Sequence, residues 1–97
     1  MFRHVVLLKW IPEATAEQRR AAVEGIRTLA QLPGICQLSV GEDAGAEPDT
    51  YDLVIVADFP DEAGYLAYKN HPAHRTLIAA VTEPIRAARA AVQYHLG

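Results

Sequence analysis

From Arg3 to Trp10 the side chains alternate, with His4, Val6, Leu8 and Trp10 on one side and Arg3, Val5, Leu7 and Lys9 on the other. A period of two is the signature of a strand, and apolar residues at the middle of both sides predict a strand covered on both faces. The period then changes. Thr15-Ala16-Glu17-Gln18 has capping-box spacing, and Ala22, Val23, Ile26, Leu29 and Ala30 recur at helical intervals. This predicts a helix from Thr15 to about Gln31, with Arg19, Arg20, Glu24 and Arg27 mostly on its other side. Gly25 weakens that helix but suits a close approach to a sheet. Leu32-Pro33-Gly34 ends it.

Alternation returns from Ile35 to Gly41, with Cys36, Leu38 and Val40 on one face. Glu42 to Thr50 is polar, contains Gly45 and Pro48, and reads as a solvated loop rather than a lid. Tyr51 to Phe59 is the clearest strand: Tyr51, Leu53, Ile55, Ala57 and Phe59 share one face, and Val54 and Val56 lie on the other. Asp61 is the expected N-cap of a second helix running through Tyr65 and Tyr68 to about Asn70. Pro72 disfavours helical geometry at His71 and suits the first turn of a third helix, Ala73 to Ala88, with a kink near Pro84. Ala90 to Leu96 closes the chain as a strand carrying Val92, Tyr94 and Leu96 on one face.

The order is β-α-β-β-α-β with a broken second helical arm. It predicts an α+β, ferredoxin-like fold: a four-stranded antiparallel sheet with helices on one face. Ninety-seven residues make a single domain, 1–97. A chain of this size buries only about 60% of its unfolded surface, yet 51% of its residues are hydrophobic. Val5, Leu7, Val54 and Val56 would leave the uncovered sheet face apolar, and a second copy packed sheet to sheet would cover it, so a homodimer is expected.

Charge and cysteine content narrow the partners. The net charge is −3, the pI is about 5.7, and Lys and Arg are dispersed, which argues against nucleic acid. The single cysteine, Cys36, cannot form an intrachain disulfide and reads as a small strand residue. The opening apolar run is too short for a signal peptide and no stretch is long enough to span a membrane, so a cytoplasmic location and no membrane partner are expected.

Chemistry concentrates in Tyr68-Lys69-Asn70-His71-Pro72-Ala73-His74. Imidazoles exchange protons near neutral pH, and a phenol can donate to an oxygen that gains charge. His4 shares a strand face with Val6 and Leu8; if that face meets the helices, His4 points into the layer between sheet and helix. Ile55, Ala57, Val23 and Ile26 would help to wall a small apolar pocket there, with Ala57 leaving space. His74 needs a backbone carbonyl or a carboxylate to fix its tautomer. His71 reads as a structural turn residue, His95 as solvent-facing, and Tyr65 and Tyr68 as a pair sharing a helix face. No metal is expected, because His71 and His74 straddle a proline and no carboxylate joins them by spacing. No haem ligand is singled out and no cofactor is required.

The chain resembles the stress-responsive dimeric α/β-barrel (Dabb) family. The resemblance rests on His4-Val5-Val6-Leu7-Leu8-Lys9-Trp10, Leu32-Pro33-Gly34-Ile35, Tyr51-Asp52-Leu53-Val54 through Phe59, Tyr68-x-x-His71-Pro72-x-His74 and the closing strand at Ala90 to Tyr94. It implies a dimer whose two sheets form a barrel. In polyketide-cyclase members, which close a ring by aldol condensation, the histidine matching His74 is the general base. There the tyrosine matching Tyr68 binds a substrate oxygen, and the histidine matching His4 lies nearby. A contact between Tyr68 and His74 is implied by this resemblance alone. Ile26 stands where those members have a pocket tyrosine and Ile85 where they have a tryptophan, so the pocket wall differs.

Three functions fit. The first is a cofactor-free cyclase or aldol-type enzyme with His74, Tyr68 and His4 as catalytic residues and Val6, Leu8, Ile26, Ile55, Ala57 and Ile85 around the substrate. The second is a non-catalytic dimer that binds a small apolar or aromatic ligand or protects against stress. The third, a cofactor-free monooxygenase, rests on fold likeness alone.

Overall fold

The computed structural model describes residues 1–97. Strand β1 (Phe2–Trp10) leads to helix α1 (Ala16–Thr28) and a 3₁₀ turn at Leu29–Gln31, then to β2 (Gln37–Glu42) and β3 (Leu53–Phe59). Helices α2 (Glu62–Lys69) and α3 (Pro72–Leu77) follow, then a wide π turn at Ile78–Thr82, a 3₁₀ turn at Glu83–Ile85 and β4 (Arg86–His95). The four strands form one antiparallel sheet in the order β2-β3-β1-β4, the ferredoxin-like arrangement. The molecule is a slab 36 × 29 × 17 Å, thin enough for one sheet and one helical layer.

The local signals explain the helix boundaries. Thr15 Oγ1 accepts from the Gln18 amide while the Gln18 side chain accepts from the Thr15 amide, completing the capping box. The Asp61 carboxylate accepts from the Gly64 amide. His71 caps α3, its Nδ1 accepting from the Ala73 amide at 3.1 Å, with Pro72 in the first turn.

Phe2, His4, Val6, Leu8 and Trp10 are all buried on the helix side of β1, and Leu53, Ile55, Ala57 and Phe59 of β3 join them. Their neighbours Val5, Leu7, Val54 and Val56 are only half-buried, because no helix covers that side. The helix-side core divides into two clusters. One holds Val6, Leu8, Trp10, Val23, Ile26, Ile55 and Ile85, among others; the second holds Phe2, Leu29, Ala57, Phe59, Tyr65 and Tyr68.

Three expectations are corrected. The third helical segment stops at Ile85, and β4 begins at Arg86 rather than Ala90. Strand β1 is long enough to pair with Arg86, Ala88 and Arg89 through Trp10, Lys9 and Leu8, and that pairing outweighs the helix propensity of an alanine-rich segment. Cys36 lies before β2 and is exposed, although its amide donates to the Asp58 carbonyl. The close approach at Gly25 is to the second helical arm and not to the sheet: a Cβ there would lie 2.9 Å from Leu77 Cδ1 and 3.5 Å from Val81 Cγ2.

Candidate functional site

Residues of both core clusters border a cavity of about 120 Å³ in the sheet–helix layer. Its apolar wall includes Val6, Leu8, Ile26, Leu29, Ile55 and Ile78. His4, Tyr65, Tyr68, His74 and Thr82 add polar groups, and Lys69, Arg86 and Arg89 complete the lining. An apolar cavity of roughly 150 Å³ takes up a benzene ring, which sets the scale of a guest.

Strand alternation puts His4 on the face of Val6 and Leu8, and the structure turns that face to the helices, where His4 is 7% exposed. Directly across the β1–β4 ladder stands Gln93, whose amide nitrogen lies 3.0 Å from His4 Nδ1 and donates to Tyr65 Oη at 3.3 Å. With Gln93 donating to Nδ1, the imidazole proton is assigned to Nε2. The His4 and Tyr65 rings are 4.7 Å apart, tilted by 43°. Burial pushes the His4 pKa down to about 4, with the positive charges of Arg89, His74 and Lys69 adding to the fall. His4 is therefore a neutral hydrogen-bond donor at neutral pH.

Tyr68 and His74 come together across the chain break at Pro72, with ring centroids 4.6 Å apart. Tyr68 is wedged against Phe59 at 5.0 Å, and its burial pushes the phenol up to about 12. It is a neutral donor with no hydrogen bond inside the chain. Burial lowers the His74 pKa; the Lys69 backbone opposes that fall, while Arg89 and His71 add to it. No carboxylate lines the cavity, and the buried Nδ1 of His74 has no hydrogen-bond partner of good geometry. The Lys69 backbone is therefore the group that stands nearest the role of orienting this imidazole.

Val6, Leu8, Ile26 and Ile55 line the cavity, but Ala57, Val23 and Ile85 do not. Ala57, 1% exposed, is packed into the cluster that holds Phe2, Phe59, Tyr65 and Tyr68. Ile85, 2% exposed, is packed into the other cluster. Arg86 and Arg89 lie before the strand that the pattern predicts from Ala90, and Gln93 lies within it but on the face opposite Val92, Tyr94 and Leu96. Alternation carried back along β4 puts Gln93 and Arg89 on the face of His4. The Glu42–Thr50 segment is exposed and borders a separate groove with Leu7 and Val54, away from the histidines. No three His, Cys, Asp or Glu side chains gather as metal ligands, and no helix is long and apolar enough to cross a membrane.

The model of the stress-responsive α/β barrel domain, Dabb, matches residues 2–96. The chain belongs to the Dabb family. Solved structures similar to this Dabb domain include a dimeric ferredoxin-like protein of unknown function from Thermobifida fusca, 34% identical, with 98% of this chain and 90% of that one covered and a TM-score of 0.89. A Dabb family protein from Mesorhizobium loti is 22% identical, with 99% and 97% covered and a TM-score of 0.79. A hydroxynitrile lyase from Passiflora edulis is 17% identical, with 99% and 93% covered and a TM-score of 0.86; at that identity the likeness is one of fold. No functionally curated protein matches this Dabb domain.

Proposed function

We propose that this Dabb domain is a homodimer whose sheet–helix cavity catalyses proton transfer on a small carbonyl compound without a cofactor, in the manner of a cyclase or aldol-type enzyme. The observation that carries the reading is the pairing of the His74 and Tyr68 rings, with centroids 4.6 Å apart, at the wall of an apolar cavity. His74 takes a proton from a carbon next to a carbonyl. Tyr68 donates to the carbonyl oxygen as it gains charge, and His4 Nε2–H offers a second donor. The proton returns from His74 to carbon or to the oxygen of the product, so no redox partner enters. The low dielectric of the cavity strengthens the interaction with the developing enolate.

The dimer is supported by the apolar open face and by the dimeric state of the Thermobifida fusca relative. Val92 is 57% and Tyr94 44% exposed on that face, and Val5, Leu7, Ala90 and Val92 outline a shallow hollow that a second sheet would fill. The composition and the lack of a membrane-crossing helix fit a cytoplasmic protein with neither nucleic acid nor membrane as partner.

Hydrogen–deuterium exchange at the α-carbon of small aromatic ketones and keto acids, followed by NMR in D₂O, tests the chemistry. Enzyme-dependent exchange is expected, and His74→Ala is expected to abolish it with the fold intact. Exchange undiminished in that variant excludes the mechanism. The absence of a carboxylate from the cavity lining, which would stabilise a protonated His74, favours a second reading, a ligand-binding dimer without turnover. Binding of the same compounds with no exchange would establish it.

A further inference from the structure

The cavity gathers three of the nine basic side chains, Lys69, Arg86 and Arg89, and none of the twelve acidic ones, in a chain of net charge −3. All three line the cavity while remaining exposed to solvent. None of the three is neutralised within the chain. The one ion pair joins Arg3 to Asp58 on the opposite sheet face, and none of the three donates a side-chain hydrogen bond.

Backbone geometry aims two of them. Arg89 lies opposite Leu8, on the helix side of the sheet. Arg86 is three residues away, and in a regular strand it would point to the other face. The β1–β4 register shifts between Lys9 and Trp10, so that Lys9 pairs with Ala88 but Trp10 with Arg86. A bulge re-aims side chains in this way, and here it returns Arg86 to the face of Arg89 and Gln93. The result is a polar row, Arg86, Arg89 and Gln93, on the edge strand of the sheet. Arg89 also holds a fixed positive charge beside His4, Tyr65 and His74, where it makes protonation of either imidazole harder.

We infer that the cavity takes a small apolar or aromatic acid whose carboxylate is held by Arg89 and Lys69 at the mouth, with Arg86 beside them, while its hydrocarbon part lies against Val6, Leu8, Ile26 and Ile55. A guanidinium binds a carboxylate through two parallel hydrogen bonds, and this cation has no competing partner. The assignment rests on the reading of the cavity as a small-molecule site. It adds the substrate class: a carbonyl acid rather than a neutral ketone. Carboxylate capture also orients the guest, putting its charged end outside and its reacting carbon inward toward Tyr68 and His74.

Benzoate, phenylacetate and their neutral amides, titrated into the full chain and followed by calorimetry and by the ring resonances of His4 and Tyr68, test this. The acids should bind at least about tenfold tighter than the matching amides, a difference of about 1.4 kcal/mol. Arg89→Gln and, separately, Lys69→Gln should erase most of that preference. Arg20→Gln, an equal change of net charge on the exposed side of α1, should leave it intact. Equal affinity for acids and amides, or a preference that survives both cavity variants, overturns the carboxylate assignment and leaves the small-molecule reading standing. Failure of every compound to bind or to shift His4 and Tyr68 overturns both.

Discussion

The two faces of this sheet begin from the same alternating pattern and end with opposite properties. Both are apolar at their centres, with Val6, Leu8 and Ile55 on one side and Val5, Leu7, Val54 and Val56 on the other. The open face carries the one ion pair of the chain, and Lys9 on the same face lies 5.9 Å from the centre of the Tyr51 ring. Arg3 grips both carboxylate oxygens of Asp58, at 2.7 and 2.8 Å, and this pairing holds the Asp58 carboxyl below its usual range. On the helix side the cations Lys69, Arg86 and Arg89 are exposed and have no partner within the chain. A face bound for another protein surface gains from neutralising its charges in advance, since desolvating an unpaired charge is costly. A face bound for a small guest keeps its polar groups free to meet it.

The sharpest way to break this contrast is at His74. His74→Ala should lower proton-transfer turnover by about 10²- to 10⁴-fold, the usual worth of a general base, while circular dichroism and dimer mass stay unchanged. On the open face, Val54→Asp should raise the dimer dissociation constant by about 100-fold or more by placing an unpaired carboxylate in the interface, as read by sedimentation velocity. It should leave the monomer folded, because the helix-side core does not depend on that residue.

A smaller effect comes from pH. The folded-state pKa of His4 is about 4, below the 6.5 of the free imidazole. The unfolded chain therefore binds the proton first as pH falls, and stability is lost between about pH 6.5 and pH 4. With allowance for solvent reaching the cavity, the loss is about 2 kcal/mol. Denaturant midpoints across that range should fall for the wild type and fall less for His4→Gln. The smallest effect is local to the open face. Arg3→Ala should return the Asp58 carboxyl toward an ordinary pKa in a carbon-detected NMR titration, because the Arg3 hydrogen bonds are the main cause of its depression. An Asp58 that stays depressed would show that the pairing is not the cause.

The elements themselves were readable along the chain because their causes are local. The capping box at Thr15 and Gln18, the N-cap Asp61 and the break at His71-Pro72 each act within a few residues. The period of two that buried His4 with Val6 and Leu8 is equally local. Reading failed where one segment's fate depends on another. The 86–89 segment has the alanine content of a helix, and its strand exists because β1 offers a free edge. Ala57 looks like room for a ligand along the strand, but it is packed into the cluster that holds the tyrosines of α2.

The sequence alone determined the order of strands and helices, the apolar character of both sheet faces and the face that His4 shares with Val6 and Leu8, because periodicity and capping are short-range properties. Only the tertiary structure decided what stands against that histidine. Gln93 is 89 residues away along the chain and meets it through strand pairing. The tilt of Tyr68 over His74, the empty space between them and Ile55, and the bulge that swings Arg86 inward likewise arise from packing between distant segments. No local pattern encodes those contacts, since each is fixed by how separate elements share one layer.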